Sequence, residues 1–134
     1  MSGESSGRRP LRLVVVSAGL GAPSTTGMLA DLLGRRAEQA LAADAPVEAV
    51  RIELRDHARA VAEAMLSGFP AGELAEAVAA VEGADALVVA SPAFQGSFSG
   101  LFKSFMDLVD ARALRGTPVL LATTGGTERH SLMI

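Results

Sequence analysis

The chain has 134 residues, of which 49% are hydrophobic and 20% are charged, and its formal net charge is -3. This length and apolar content predict one folded domain with a real core rather than a disordered chain. The charge gives no basic face for nucleic acid, and the lack of cysteine excludes disulfides and catalytic thiols. No apolar run is long enough to span a membrane, so we expect a cytoplasmic protein in which residues 1–10 form a flexible leader.

Predicted strands and helices alternate along residues 11–134. Strands are predicted at 11–16, 47–54, 86–90 and 118–122, and helices at 26–42, 56–65, 73–82 and 101–109, with a further helical turn at 131–134. The second strand alternates polar and apolar residues, as an edge strand does, whereas the other three are apolar runs typical of strands covered on both faces. The order predicts an α/β fold with a doubly wound parallel sheet, whose ligands bind beyond the carboxyl ends of the strands.

The loop after the first strand has the features of an anion site. It carries Gly19 and Gly21, and the hydroxyls of Ser24, Thr25 and Thr26 follow just before a helix. Free N–H groups and the helix dipole favour negative charge at such a position. The loop lacks the third glycine of a dinucleotide fingerprint and the Gly-Lys-Ser/Thr of a P-loop. Two alternatives stay open, namely a phosphate monoester held by hydroxyls and amides, and an N-capped helix that binds nothing.

The second loop, at 91–100, places two phenylalanines and two glycines at the end of a buried strand. Phe94 is suited to lie against a planar ring, and glycines allow backbone amides to approach a ligand. The alternative is that Phe94 and Phe98 pack beneath the loop. A third loop, at 123–127, contains Thr-Gly-Gly, which is a common turn and weak evidence for a site by itself. It supports a site because it follows a strand whose carboxyl end lies at the same rim of the sheet as the other two loops.

Together these segments resemble a known family. The stretches VVVSAGLGAPSTT, ALVVASPAFQGSFSGLFKSFMD and PVLLATTGGTERH look like the flavodoxin-like NADPH-dependent FMN reductases. The resemblance runs from Leu11 to the end of the chain and is most specific from Ser91 to Asp107. It implies a flavodoxin-like fold that binds FMN at the rim and reduces flavin with NADPH. The residues themselves show no pattern for a catalytic side chain or a metal site, so we expect neither. The resemblance further implies a homo-oligomer that supplies reduced flavin to a monooxygenase.

The resemblance assigns three groups of residues to FMN. Those that would hold the phosphate are Ser17, Ser24, Thr25 and Thr26. Those that would line the isoalloxazine are Pro92, Ala93, Phe94, Gln95, Gly96 and Ser97, and those that would flank it from the third loop are Thr124, Gly125 and Gly126. Two positions depart from the family pattern, because the first loop lacks an arginine that many members carry and Phe94 stands where tyrosine is frequent.

A third departure concerns the end of the chain. The family's domain continues through a further helix, a fifth strand and a closing helix, which are not present before Ile134. In the strand order 2-1-3-4-5, the strand at 118–122 would then be an apolar edge, which is a pairing hazard. We therefore expect either a truncated product or a second chain that covers this edge.

Two other functions stay open. One is a flavodoxin-type electron carrier, which the absence of tryptophan and tyrosine disfavours. The other is a non-catalytic remnant that retains only the FMN site. Within the enzyme class, the loops do not specify the electron acceptor, so quinone or azo-dye reduction is also open.

Overall fold

The computed structural model describes residues 9–126. The predicted leader apart from Arg9 and Pro10, the last residue of the third loop, Thr127, and the helical turn predicted at 131–134 lie outside the described residues. Arg9 forms a two-pronged ion pair with Asp85, at 2.8 and 3.0 Å. The hydrogen bonds from Arg9, together with that from the backbone N–H of Arg12, lower the pKa of the Asp85 carboxyl to about 2.

The described part of the chain contains four strands and four α-helices, with two of the helices in succession between the second and third strands. Their bounds are β1 (Leu11–Ser17), α1 (Thr25–Ala42), β2 (Val47–Glu53), α2 (Ala58–Ser67), α3 (Gly72–Glu82), β3 (Ala86–Pro92), α4 (Gly100–Met106) and β4 (Val119–Thr124). Two short 3-10 turns, Leu54–His57 and Ala111–Leu114, precede α2 and β4. Among the helices of residues 9–126, none combines the length and the hydropathy needed to cross a bilayer.

The sheet is parallel throughout and has the strand order β2-β1-β3-β4. In the register, Val15 of β1 lies between Arg51 of β2 and Val88 of β3. Helix α1 packs on one face, over Leu13 and Val88, and α2, α3 and α4 pack on the other. The predicted α/β fold with a flavodoxin-like, doubly wound sheet is therefore confirmed, and β2 lies at an edge as its alternating pattern predicts.

Two helices differ from their predicted bounds for identifiable reasons. The helix predicted from residue 56 begins at Ala58, because the chain first makes a 3-10 turn that buries Leu54 completely. The helix predicted to reach residue 109 ends at Met106. There the N–H groups of Leu108 and Val109 bond to carbonyls three residues back, at 3.0 and 3.2 Å, and this tightening brings Val109 into the core.

Strand β4 forms the other edge of the sheet within residues 9–126, where it pairs only with β3. Val119, Leu120 and Leu121 are all exposed, and Leu121 is 69% exposed. This is the apolar edge that the strand pattern predicts. The idea that a second chain covers the edge stays a prediction.

The core beneath α4 leads to a stability prediction. Phe105 is 0% exposed and packs among residues of β1, β3 and the helices on that face. We expect Phe105→Ala to lower the free energy of unfolding by roughly 3–5 kcal/mol, because the cavity adds to the lost transfer free energy. Phe69→Ala is the matched control, since Phe69 is 77% exposed and its loss should change stability by less than about 0.5 kcal/mol. Urea unfolding at constant m-value measures both, and equal midpoints for the two variants would contradict the assignment of the core.

Candidate functional site

The three predicted loops meet at one cleft. It lies at the carboxyl ends of β1, β3 and β4, where the chain leaves β1 toward one side of the sheet and β3 toward the other. This is the topological switch point at which open α/β sheets bind ligands. The cleft has a volume of about 360 Å³ and is lined by Leu20, Gly21, Pro23, Ser24, Thr25, Thr26, Pro92, Ala93, Phe94, Thr124, Gly125 and Gly126.

Ser17 and Ser24 organise the backbone of the first loop. Ser17 is fully buried, and its Oγ accepts a hydrogen bond from the N–H of Gly19 at 3.4 Å. Ser24 is the N-cap of α1, because its Oγ accepts from the N–H of Gly27 at 3.0 Å. Each hydroxyl keeps its own O–H to donate. Ser24 can offer this donor to the cleft, whereas Ser17 lies beneath the loop and is not part of the cleft wall.

The N-terminus of α1 presents unpaired donors to the cleft. Within residues 9–126, the backbone N–H groups of Thr25 and Thr26 have no hydrogen-bond partner. The first turn of the helix itself contains no acidic residue, which favours an anion at this position. Thr26 itself is buried, and its hydroxyl forms a 2.7 Å hydrogen bond with that of Thr124 in the third loop. The side chain of Thr26 therefore ties two loops together.

The second loop contains a tight hairpin. Phe94 and Ser97 exchange two backbone hydrogen bonds, of 2.7 and 3.0 Å, across the pair Gln95-Gly96. Both central residues have positive φ, of 50° and 75°, as a type I′ turn requires. The loop is also joined to the third loop, because the N–H of Ala93 donates to the carbonyl of Thr124 at 2.8 Å. Gln95, Gly96 and Ser97 form the hairpin tip and do not belong to the cleft wall.

The two phenylalanines of this loop have different surroundings. Phe94 is 44% exposed and its ring lines the cleft. Phe98 instead meets Phe102 of α4 edge to face, with ring centroids 5.5 Å apart and planes at 80°. Phe98 is nevertheless 38% exposed, so neither ring packs beneath the loop as the alternative held. Phe94 is the phenylalanine that lines the cleft.

Several residues that shape the site were not predicted from sequence. Ser91 closes the base of the second loop, since its Oγ accepts from the N–H of Ser99 at 2.9 Å and its O–H donates to the carbonyl of Pro92. Ser99 in turn caps α4 by accepting from Phe102 N–H at 3.1 Å. The sequence signals available for them were the position of Ser91 at the end of a strand and that of Ser99 just before a helix. No sequence signal pointed to Arg55, which nevertheless contacts the first loop.

The sequence that forms this fold and cleft matches a known family. The model of the NADPH-dependent FMN reductase family matches residues 11–134. The chain belongs to this family. The resemblance seen in the three loop segments is therefore confirmed.

Individual relatives agree with the family match. The NADH-dependent FMN reductase SfnF of Pseudomonas fluorescens (strain Pf0-1) is 44% identical over 94% of this chain and 65% of its own length. An FMN reductase (NADPH) of Pseudomonas aeruginosa is 42% identical over 93% of this chain and 65% of its own length. The chain thus spans 65% of the length of these curated relatives. A solved oxidoreductase from Corynebacterium diphtheriae superposes with a TM-score of 0.88 at 37% identity, over 94% of this chain and 70% of that chain.

The tight packing of Gly19 against Ser24 and Thr26 in the first loop leads to a stability prediction. A Cβ at this position would collide with the Ser24 Oγ and would lie 3.1 Å from the Cβ of Thr26. We expect Gly19→Ala to lower the free energy of unfolding by about 1–3 kcal/mol, because the loop must shift to admit the methyl group. Gly100→Ala is the control, since a Cβ there meets nothing within 4 Å. Thermal and urea unfolding would compare the two, and a Gly19→Ala protein as stable as Gly100→Ala would contradict the packing described for the loop.

Proposed function

We propose that the cleft binds FMN and that the protein is an NAD(P)H-dependent FMN reductase in which hydride passes from NADPH to FMN. The single observation that carries this is the placement of free helix amides, a capping hydroxyl and an exposed phenylalanine on one cleft. Membership of the FMN reductase family supports it, as do the names of two relatives, each an FMN reductase.

The first loop fits a phosphate monoester. Thr25 and Thr26 offer backbone N–H groups, and Ser24 and Thr25 offer hydroxyls, so one phosphate can receive donors from several sides. The helix dipole adds a favourable field. Ser17 contributes indirectly, because it holds the backbone at Gly19 from below.

The second and third loops fit a planar ring. Phe94 presents an aromatic side chain, while Pro92, Ala93, Gly125 and Gly126 leave room for a flat group to approach the backbone. When bound, FMN supplies the redox chemistry by accepting hydride from a nicotinamide nucleotide. Within residues 9–126, the N–H groups of Gln95 and Gly96 have no partner. They lie at the hairpin tip outside the cleft wall, so they would stabilise negative charge on a ring whose reactive edge extends past the wall to the tip. The N–H of Ser97 is engaged by Phe94.

The finer parts of the proposal rest on the family. The two relatives' names differ between NADH and NADPH, so the preference for NADPH needs measurement. The homo-oligomer and the transfer of reduced flavin to a monooxygenase are expectations from the family resemblance, and the cytoplasmic location is an expectation from the sequence. No acid or base is proposed, because hydride transfer to a flavin needs only placement and electrostatics from the protein.

Flavin titration followed by turnover tests the proposal. We expect the protein to bind FMN, measured by quenching of flavin fluorescence, and to oxidise NADPH in its presence, measured at the nicotinamide absorbance band. NADH in place of NADPH determines the nucleotide preference. A protein that does not bind FMN would refute the proposal, and one that binds FMN without oxidising either nucleotide would instead be a carrier or a non-catalytic FMN protein.

Phe94 provides a test of the ring position. Because stacking on an aromatic side chain is worth roughly 1–3 kcal/mol, we expect Phe94→Ala to weaken FMN binding about tenfold and Phe94→Tyr to preserve it. Phe98→Ala serves as the matched control, since Phe98 packs on Phe102 and its loss should lower stability but leave FMN affinity within about twofold. An equal loss of FMN affinity in Phe94→Ala and Phe98→Ala would contradict the placement of the ring against Phe94.

A further inference from the structure

Arg55 connects the end of β2 to the outer side of the first loop. It lies in the 3-10 turn Leu54–His57, and its Nη1 donates to the carbonyl of Gly21 at 2.7 Å. Gly21, Pro23 and Ser24 line the FMN cleft with one side of the loop and a second, outer groove with the other. Arg55 lines only the outer groove, so a single thickness of chain separates its guanidinium from the proposed phosphate position.

The charged groups of the outer groove show which negative charge the Arg55 guanidinium balances. Asp31 and Glu53 both pair with Arg51, at 2.7 and 3.4 Å. One guanidinium therefore faces two carboxylates beneath the N-terminus of α1. Within residues 9–126, Arg55 makes no ion pair of its own, so its charge offsets the second carboxylate. Without Arg55 this side of the loop would carry a net negative charge next to a site for an anion.

The loop supplies no compensating cation. Residues 18–24 contain no lysine or arginine, and the hydroxyls and amides that face the cleft are neutral groups. A positive charge that acts on the phosphate must come from another segment of the chain. Arg55 is the residue that the fold brings there, across 34 positions of sequence.

We propose that Arg55 is a positioning residue for the phosphate end of the FMN site. Its hydrogen bond to Gly21 holds the loop against α1, so that Ser24 and the free amides keep their orientation, and its charge cancels the local negative field. This role rests on the proposed function, because it assumes that the cleft takes FMN. It predicts a specific signature, in which Arg55 matters for a flavin that carries a phosphate and not for one that lacks it.

Binding of FMN and of riboflavin to the flavin-free protein tests this role. For Arg55→Gln we expect the Kd of FMN to rise about tenfold, the size typical of one hydrogen bond to a charged group, with the Kd of riboflavin changed less than about twofold. Arg55→Lys keeps the charge but loses the planar fork, so its FMN affinity should fall less. Arg115→Gln is the matched control, because it removes the same charge from an exposed residue that precedes β4 at the opposite end of the sheet. Fluorescence titration at low ionic strength measures the wild-type protein and the three variants, and thermal unfolding confirms that each variant is folded.

The outcomes separate this role from the proposed function. Wild-type protein that does not bind FMN would refute the proposed function and this role with it. If the wild-type protein binds FMN, an unchanged FMN affinity in Arg55→Gln would overturn the role of Arg55 alone. Equal losses for FMN and riboflavin would also overturn it, since they indicate a general effect on the fold. If Arg55→Gln does not fold, Arg55→Lys is used for the same comparison of FMN with riboflavin. Any affinity that this variant loses must again be lost for FMN and not for riboflavin.

Discussion

The parallel pairing of β1 with both β2 and β3 is the constraint on which the site depends. Because β1 lies between two strands that run in its own direction, each connection must cross the sheet, and all carboxyl ends meet at one edge. The chain leaves β1 into α1 on one face and leaves β3 into α4 on the other. The loops diverge at that point, and the cleft is the space between them.

Hydrogen bonds between the loops then fix the shape of this space. Thr26 bonds to Thr124, Ala93 bonds to the carbonyl of Thr124, and the N–H of Ala18 bonds to the carbonyl of Ala90 at 2.9 Å. The first two contacts join the third loop to the first and the second loop, and the last joins the first loop to β3 just before the second loop. Since much of the wall is tied in place without a ligand, little loop ordering has to accompany binding, which is the benefit of a preorganised site.

Periodicity and composition predicted most of the fold, because buried parallel strands are continuous apolar runs and helices follow a different period. The same rules predicted that three loops share a rim. They did not predict the contacts within that rim, since Thr26 and Thr124 are 98 residues apart and Arg55 reaches Gly21 through a 3-10 turn. The pair Gln95-Gly96 is a weak turn signal beside Asn-Gly or Asp-Gly, so the hairpin that places the loop tip outside the cleft wall was not foreseen.

The bond between Thr26 and Thr124 also limits which hydroxyl can serve a ligand. A hydroxyl has a single proton to donate, so one threonine must donate to the other and only the acceptor keeps a free O–H. If Thr124 donated, the free O–H would belong to Thr26, which is 3% exposed, and a buried donor without a partner is costly. If Thr26 donates, the free O–H belongs to Thr124, which is half-buried and on the cleft wall. The second arrangement is favoured, so of these two threonines it is Thr124 that keeps a side-chain donor facing the cleft. In the proposed FMN site, Thr26 would contribute only its backbone N–H.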